Sequence, residues 1–382
     1  VRRTEDGSLI IALAVILVLS GLSLAILART VSALASARVA QDSTSATAAA
    51  GTGLTDALYV LDHSTVTGTP ITGGGASFPY AWTATFAGTP APCTIPAPLS
   101  ALCQVGTVTS TGTVNGRSHT VTAQVQRTAR WPWLLATSGT LVLDGTDTVT
   151  SDGVTSPPVL AAGGQMVLRN GATGGSEQDL LEPGASCTGN GTDATPATPC
   201  SPTAHVLAGD TLLAEPALPT SPAPTVLASC TGITSLTGSL ASPTSYLCDG
   251  PVTFGPGPVT VGPGQVDLYV EGNGGLASVS FADATVTTVS GVASSFAVHV
   301  LGTGVIEPGD GTDAGQFTGV LDAPNATLRS NPCQFSLTGA ADLGSIDCVT
   351  GTGSGPVLTY GSSLATVYSP TWHLSADGDA TS

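Results

Sequence analysis

From Leu9 to Ala28 the chain carries no charge and is almost wholly apolar. At about 1.5 Å per residue, a helix over this run reaches roughly 30 Å, the thickness of one bilayer core. Arg2 and Arg3 precede it, which favours a cytoplasmic N-terminus. The positions expected to face lipid include Leu9, Ile10, Ile11, Leu13, Leu17 and Leu24. A secretory signal peptide is the rival reading, with Ala33-Leu34-Ala35 or Ala35-Ser36-Ala37 as its cleavage site, although signal cores are shorter. Helical character continues beyond the apolar run. No proline occurs from Val31 to Asp62, and Ala50, Leu54, Ala57, Leu58 and Leu61 follow helical spacing. The pattern predicts one long helix, half in lipid and half packed on the body. Ser43, Thr44, Ser45 and Thr47 weaken its middle, and Gly51 and Gly53 are places for a bend.

After the helix the period changes. Val121, Ala123 and Val125 alternate with Thr120, Thr122 and Gln124, one face buried and one wet. Asn115-Gly116 sits before them as a type I′ turn signal, so Val105 to Arg127 reads as a hairpin. From Trp131 onward, short apolar pieces are separated by Gly, Asn and Asp. Examples are Thr140–Leu143, Gln165–Leu168, Val266–Val270, Phe296–Val300, Phe317–Leu321, Ala326–Leu328 and Phe335–Leu337. Each is too short to bury its own apolar side chains. They must cover one another as stacked rungs, or face each other across a β-sandwich. In the stacked case the inward positions include Leu141, Leu143, Leu268, Val270, Phe317, Leu328 and Leu337.

Composition narrows the choice. Gly 48 and Pro 27 among 382 residues favour short strands and tight turns over further helices. All nine basic residues are Arg, and the net charge of −17 opposes binding to nucleic-acid phosphates. The cysteines form four neighbouring couples: Cys93 and Cys103, Cys187 and Cys200, Cys230 and Cys248, Cys333 and Cys348. Local disulfides in an oxidising compartment are the simplest reading, although eight cysteines allow about 105 connectivities. A zinc site is the alternative, but no Cys-x-x-Cys occurs and no His stands at ligand spacing from a couple.

Catalytic motifs are absent from the sequence. There is no Gly-x-Ser-x-Gly elbow and no His-Glu-x-x-His, and without lysine there is no P-loop. The stretch Gly309–Ala314 fits a dinucleotide loop loosely and lacks a surrounding βαβ unit. His63, His119, His205, His299 and His373 are scattered, each read as a surface or packed residue. Asp144, Asp147 and Asp152, or Asp310 with Asp313, offer too few oxygens in one loop for calcium and read as solvated turn acids. No clustered acid pair is evident near Arg130, Arg169 or Arg329. The expectation is therefore no enzyme, no cofactor and no metal.

Two stretches carry resemblances. Arg2-Arg3-Thr4-Glu5-Asp6-Gly7 followed by Ser8-Leu9-Ile10-Ile11-Ala12-Leu13 resembles a type IV prepilin leader and its processing site. The resemblance implies cleavage by a prepilin peptidase between Gly7 and Ser8, and packing of the helix among other pilin subunits. Ala48–Leu58, with Ala50-Gly51 and Gly53-Leu54, is similar to the helix of PilX-type minor pilins. Ala12 stands where major pilins carry Glu, which argues against a bulk filament subunit. Later, Phe317-Thr318-Gly319-Val320-Leu321-Asp322-Ala323-Pro324-Asn325-Ala326 resembles a rung of a bacterial surface domain, and Tyr360-Gly361-Ser362-Ser363-Leu364 resembles its ending. That domain is a right-handed parallel β-helix.

The expected fold is thus mainly β: a right-handed parallel β-helix body behind a long pilin-like N-terminal α-helix, with a β-sandwich body as the alternative. The expected parts are a leader (1–7), the helix (8–62), a small hairpin region (63–130) and first rungs (131–180). A proline-rich, disulfide-stapled excursion (181–250), a C-terminal β-helix (251–370) and a tail (371–382) follow. The expected protein is a minor pilin at a filament tip or in assembly, anchored in the cytoplasmic or inner membrane with its body outside. A permanently anchored adhesin with a surface ligand is the second reading, and an anchored carbohydrate-active enzyme the third.

Overall fold

The computed structural model describes residues 6–63, 70–75, 77–87, 91–92, 102–131, 133–144, 146–152, 160–169, 180–181, 186–189, 205–206, 215–272, 277–281, 283–309, 315–330, 334–348, 354–367 and 372–374. The protein is mainly β with one long N-terminal helix and a large parallel sheet. Two compact units divide the chain. One comprises Val1–Phe86, Gly106–Val125 and Trp372–Ser382, and the other Ala87–Val105 and Gln126–Thr371.

In the first unit, helix α1 runs unbroken over Asp6–His63, 58 residues. The hydroxyls in its middle do not interrupt it: Thr44 and Thr47 donate to the carbonyls of Ala40 and Ser43, one turn back. Two of the residues expected to weaken the helix thus bond along it. Ala46, Ala50, Ala57 and Leu61 form a buried stripe at helical spacing. The sheet of this unit is antiparallel, with Ile71–Gly74 against Tyr80–Phe86 and the latter against Leu102–Val114. Arg117–Thr128 follows next in the sheet, and His373–Leu374 lies at its edge. Asn115 and Gly116 turn the hairpin at φ of 49° and 77°, the two positive values a type I′ turn requires. Gly112 lies so close to α1 that a Cβ there would strike the Ala46 carbonyl. Three helix carboxylates then fix the register. Asp42 accepts from Asn115 Nδ2 at 2.9 Å, Asp56 from Trp82 Nε1 at 2.8 Å, and Asp62 from the Trp372 N–H at 2.7 Å.

In the second unit every ladder of the large sheet among the described residues is parallel, except the strands at 91–92 and 102–103, which pair antiparallel in the other sheet. The antiparallel pairing of a β-sandwich is thus not what these pieces do. Gln316–Ser330 pairs with Ser336–Cys348, Phe317 with Leu337 and, after a register shift between Ala323 and Thr327, Leu328 with Ile346. Along one ladder the row Val252, Val279, Ile306, Leu328, Ile346, Leu141 and Met166 is continuous and buried throughout. A second row runs Val259, Val286, Phe317, Leu337 and Leu358, also buried. A third runs Leu268, Val298, Leu321, Ala341, Leu135 and Leu160. Each such side chain contributes about 1.5–3 kcal/mol by leaving water, and the three rows bury one another in a single core.

Stacking order and chain order differ. Leu135–Thr137 lies between Ala341–Leu343 on one side and Leu160–Ala162 on the other. The first strand of the body therefore packs on one of its last, and the Arg130 N–H donates to the Val367 carbonyl at 2.7 Å. Along this ladder the described ends are His205–Val206 and Thr225–Val226. Glu215, between them in sequence, accepts from the Gly302 N–H at 3.0 Å. Residues 181–250 were expected to leave the body as an excursion. Their described strands instead join it: Ser186–Gly189 pairs with Gln165–Arg169, and Thr244–Asp249 with Val266–Glu271. The prolines Pro216, Pro219, Pro222 and Pro224 fall between the strands, where a missing N–H costs no ladder bond.

Candidate functional site

Two features stand out as places where this chain can act. The first is the N-terminal half of α1. Ile10, Ile11, Leu13, Leu17 and Leu24 are 60–69% exposed. By length and composition the helix can cross a membrane. Gly7 and Ser8 lie in its first turn, and their side chains, with that of Leu9, fall outside the described set. Apolar surface of this extent marks a contact with lipid or with other protein.

The second feature is a polar row on the outer face of the third ladder. Strand residues two apart share a face, so Asp267 and Tyr269 point away from Leu268 and Val270, which fill the core. The register sets Tyr269 beside His299, His299 beside Asp322, Asp322 beside Asp342, and Asp342 beside Ala136. His299 Nδ1 meets Asp322 Oδ2 at 2.8 Å, its Nε2 lies 3.7 Å from Asp267 Oδ1, and its ring stacks on Tyr269 at 4.7 Å. Outward though it faces, the row is covered. The stretch Arg130–Leu134 contributes Trp133, whose Nε1 donates to Asp342 Oδ1 at 2.8 Å, and Arg130, whose Nη2 lies 3.9 Å from Asp322 Oδ2. The Arg130 guanidinium also stacks over the Trp131 ring at 4.7 Å, and Tyr360 donates to the Trp131 carbonyl at 2.8 Å.

Burial sets the electrostatics of this row. It works to lower the pKa of His299, but hydrogen bonding and charge from Asp267 and Asp322 outweigh it, and the net shift is upward. Burial, reinforced by the Asp322 charge, holds Asp342 well above the ordinary carboxylate range against the opposing pull of Trp133 and Arg130. Tyr269 is raised by burial and by Asp267, and Tyr360 by burial.

This row is not visible in the sequence: His299 reads there as one of five scattered histidines, surface or packed, and no clustered acid pair is evident, yet the fold buries His299 and places Asp322 and Asp342 on adjacent strands. The signal was present: Thr318-Gly319-Val320-Leu321-Asp322 and Thr338-Gly339-Ala340-Ala341-Asp342 are one pattern repeated. Of the cysteines, Cys230 and Cys248 are disulfide-bonded with Cα atoms 5.8 Å apart, and Cys348 is disulfide-bonded. Cys93, Cys200 and Cys333, and the side chains of Cys103 and Cys187, lie outside the described set. So do Asp310 and Asp313 and the side chains of Asp144, Asp147 and Asp152. Among the described residues no group of three His, Cys, Asp or Glu is arranged to hold a metal ion.

No protein-family model and no curated protein matches the chain. Among solved structures, the competence-associated pilin ComZ from Thermus thermophilus is similar at 10% identity and a TM-score of 0.34, over 87% of this chain and 96% of that one. A TM-score of that size carries no argument about fold or role.

Proposed function

We propose that this chain is a type IV pilin-like surface subunit, a minor pilin of the PilX type that serves at a filament tip or in assembly. The observation that carries the reading is α1: one continuous helix whose first half is bare and apolar and whose second half buries one stripe against an antiparallel sheet. Such a helix can rest in the membrane before assembly and pack among other subunits afterwards. Cleavage by a prepilin peptidase after Gly7 would release the Ser8 terminus for that packing. The body would then stand outside the cell as a right-handed parallel β-helix with a structural or adhesive, non-catalytic role. The acid pair Asp322 and Asp342 favours the carbohydrate-active alternative, but both are less than 10% exposed, under Trp133 and Arg130.

Mass spectrometry of the mature N-terminus in the native host tests the proposal. The expected chain begins at Ser8, and Gly7→Arg blocks maturation because the peptidase site needs a residue without a side chain. A mature protein that retains Arg2 and Arg3 would leave the permanently anchored adhesin as the better account.

A further inference from the structure

We propose that Asp267, His299, Asp322 and Asp342 form a proton-operated latch that holds the Arg130–Leu134 segment on the outer face of the body, closed in mild acid and loosened in alkali. The geometry is that of a clasp. Three successive strands of the ladder supply His299, Asp322 and Asp342 in one register row, and the segment reaches down to two of them. Trp133 holds Asp342 and Arg130 approaches Asp322. The segment leads into the first strand of the large parallel sheet, and the Arg130 N–H on Val367 O ties it to the body's last described residue before Trp372.

The charged and titratable groups around His299 are Asp267 and Tyr269 from the strand on one side, and Asp322, then Asp342, on the other. Arg130 lies above. Protonated His299 is a cation beside Asp267 and Asp322, Arg130 supplies a second cation, and the fold favours the neutral form of Asp342, which accepts from Trp133. Each proton lost, from His299 or from Asp342, removes a positive charge or adds a negative one beside Asp267 and Asp322, and the half-exposed Arg130 remains as the nearby cation. Buried like charges of this kind are costly.

Both groups push in the same direction. The pKa of His299 is raised in the fold, so its contribution is complete below the unfolded value of 6.5 and fades as pH rises through the folded one. Asp342 is also raised, so its neutral form is favoured by the fold, and stability falls as pH climbs from the ordinary value of 3.8 toward the folded one. The Trp133 hydrogen bond would favour the anion, but burial and the Asp322 charge are the larger effects.

Amide hydrogen exchange on the full chain in detergent, corrected for intrinsic rates, tests the latch between about pH 5 and about pH 9. Protection of residues 129–134 should fall at least about tenfold across that range, while residues 252–261 of the same body hold theirs. In His299→Gln the segment should already be open in acid and the pH step should vanish. Asp342→Asn keeps an acceptor for Trp133 without a charge, so its segment should stay protected to higher pH than in the parent chain. Should His299→Gln fail to fold, Asp342→Asn decides alone. Protection that does not change with pH in the parent chain overturns the latch. So does a step of unchanged position in Asp342→Asn, or of unchanged size in His299→Gln.

Discussion

In the helix-bearing unit one face of an antiparallel sheet is covered by α1, an element of a different kind. In the body each strand is covered by another strand of the same sheet, laid parallel beside it. The first arrangement depends on a few specific approaches, such as Gly112 at Ala46 and the three aspartates of the helix. The second depends on unbroken apolar rows that meet in one continuous core, where a position borders its two ladder neighbours and side chains of the other rows. Damage in the first should be felt across a small core. Damage in the second should depend on where in the stack it falls.

The largest effect is expected from Leu328→Asp. Leu328 is 1% exposed between Ile306 and Ile346, and an unpaired carboxylate there costs several kcal/mol. Loss of protease resistance across the body is the expected readout. A variant that melts like the parent would mean that the row is not the core. Next is the double substitution Cys230→Ser with Cys248→Ser. Its bridge closes a loop with a sequence separation of 18 near one described end of the stack, and its loss should cost about 3 kcal/mol in the entropic model. Hydrogen exchange should loosen 225–249 first and leave 336–348 protected. Uniform loosening would contradict the locality that stacked parallel strands imply. The smallest effect belongs to the other unit. Gly116 turns at φ 77° over open space, so Gly116→Ala should cost about 1 kcal/mol through backbone strain alone. Thermal melting of the full chain, followed on the hairpin by NMR, measures it.

What was legible in the sequence follows from the same contrast. The helix and hairpin are local objects, set by an apolar run, a helical stripe and Asn115-Gly116, and all three could be read directly. The body pieces were legible one at a time because Leu141, Leu143, Leu268, Val270, Phe317, Leu328 and Leu337 sit in strands and are buried. Their stacking was not legible by period. Phe317 neighbours Leu337, twenty residues on, but Leu268 neighbours Val298, thirty on, because segments of different length separate the strands. Residues 181–250 misled for a related reason. Proline density says where ladder bonds are absent, and the short strands between the prolines carried too few residues to announce themselves. The polar row was hidden because its members are brought together by register across strands rather than by any spacing along the chain.

The strand Leu135–Thr137 lies between neighbours that come from opposite ends of the body's sequence. A ribosome makes this strand before nearly everything else in the body, yet one of its two edges stays open until Ser336–Cys348 has been made. The nascent body therefore carries an unpaired β-edge through most of its synthesis, and that edge is a template for a wrong partner. A truncated chain ending before residue 336 keeps the same edge permanently. Removing strands from the described ends of the stack, at His205–Val206 and Thr225–Val226, would spare it.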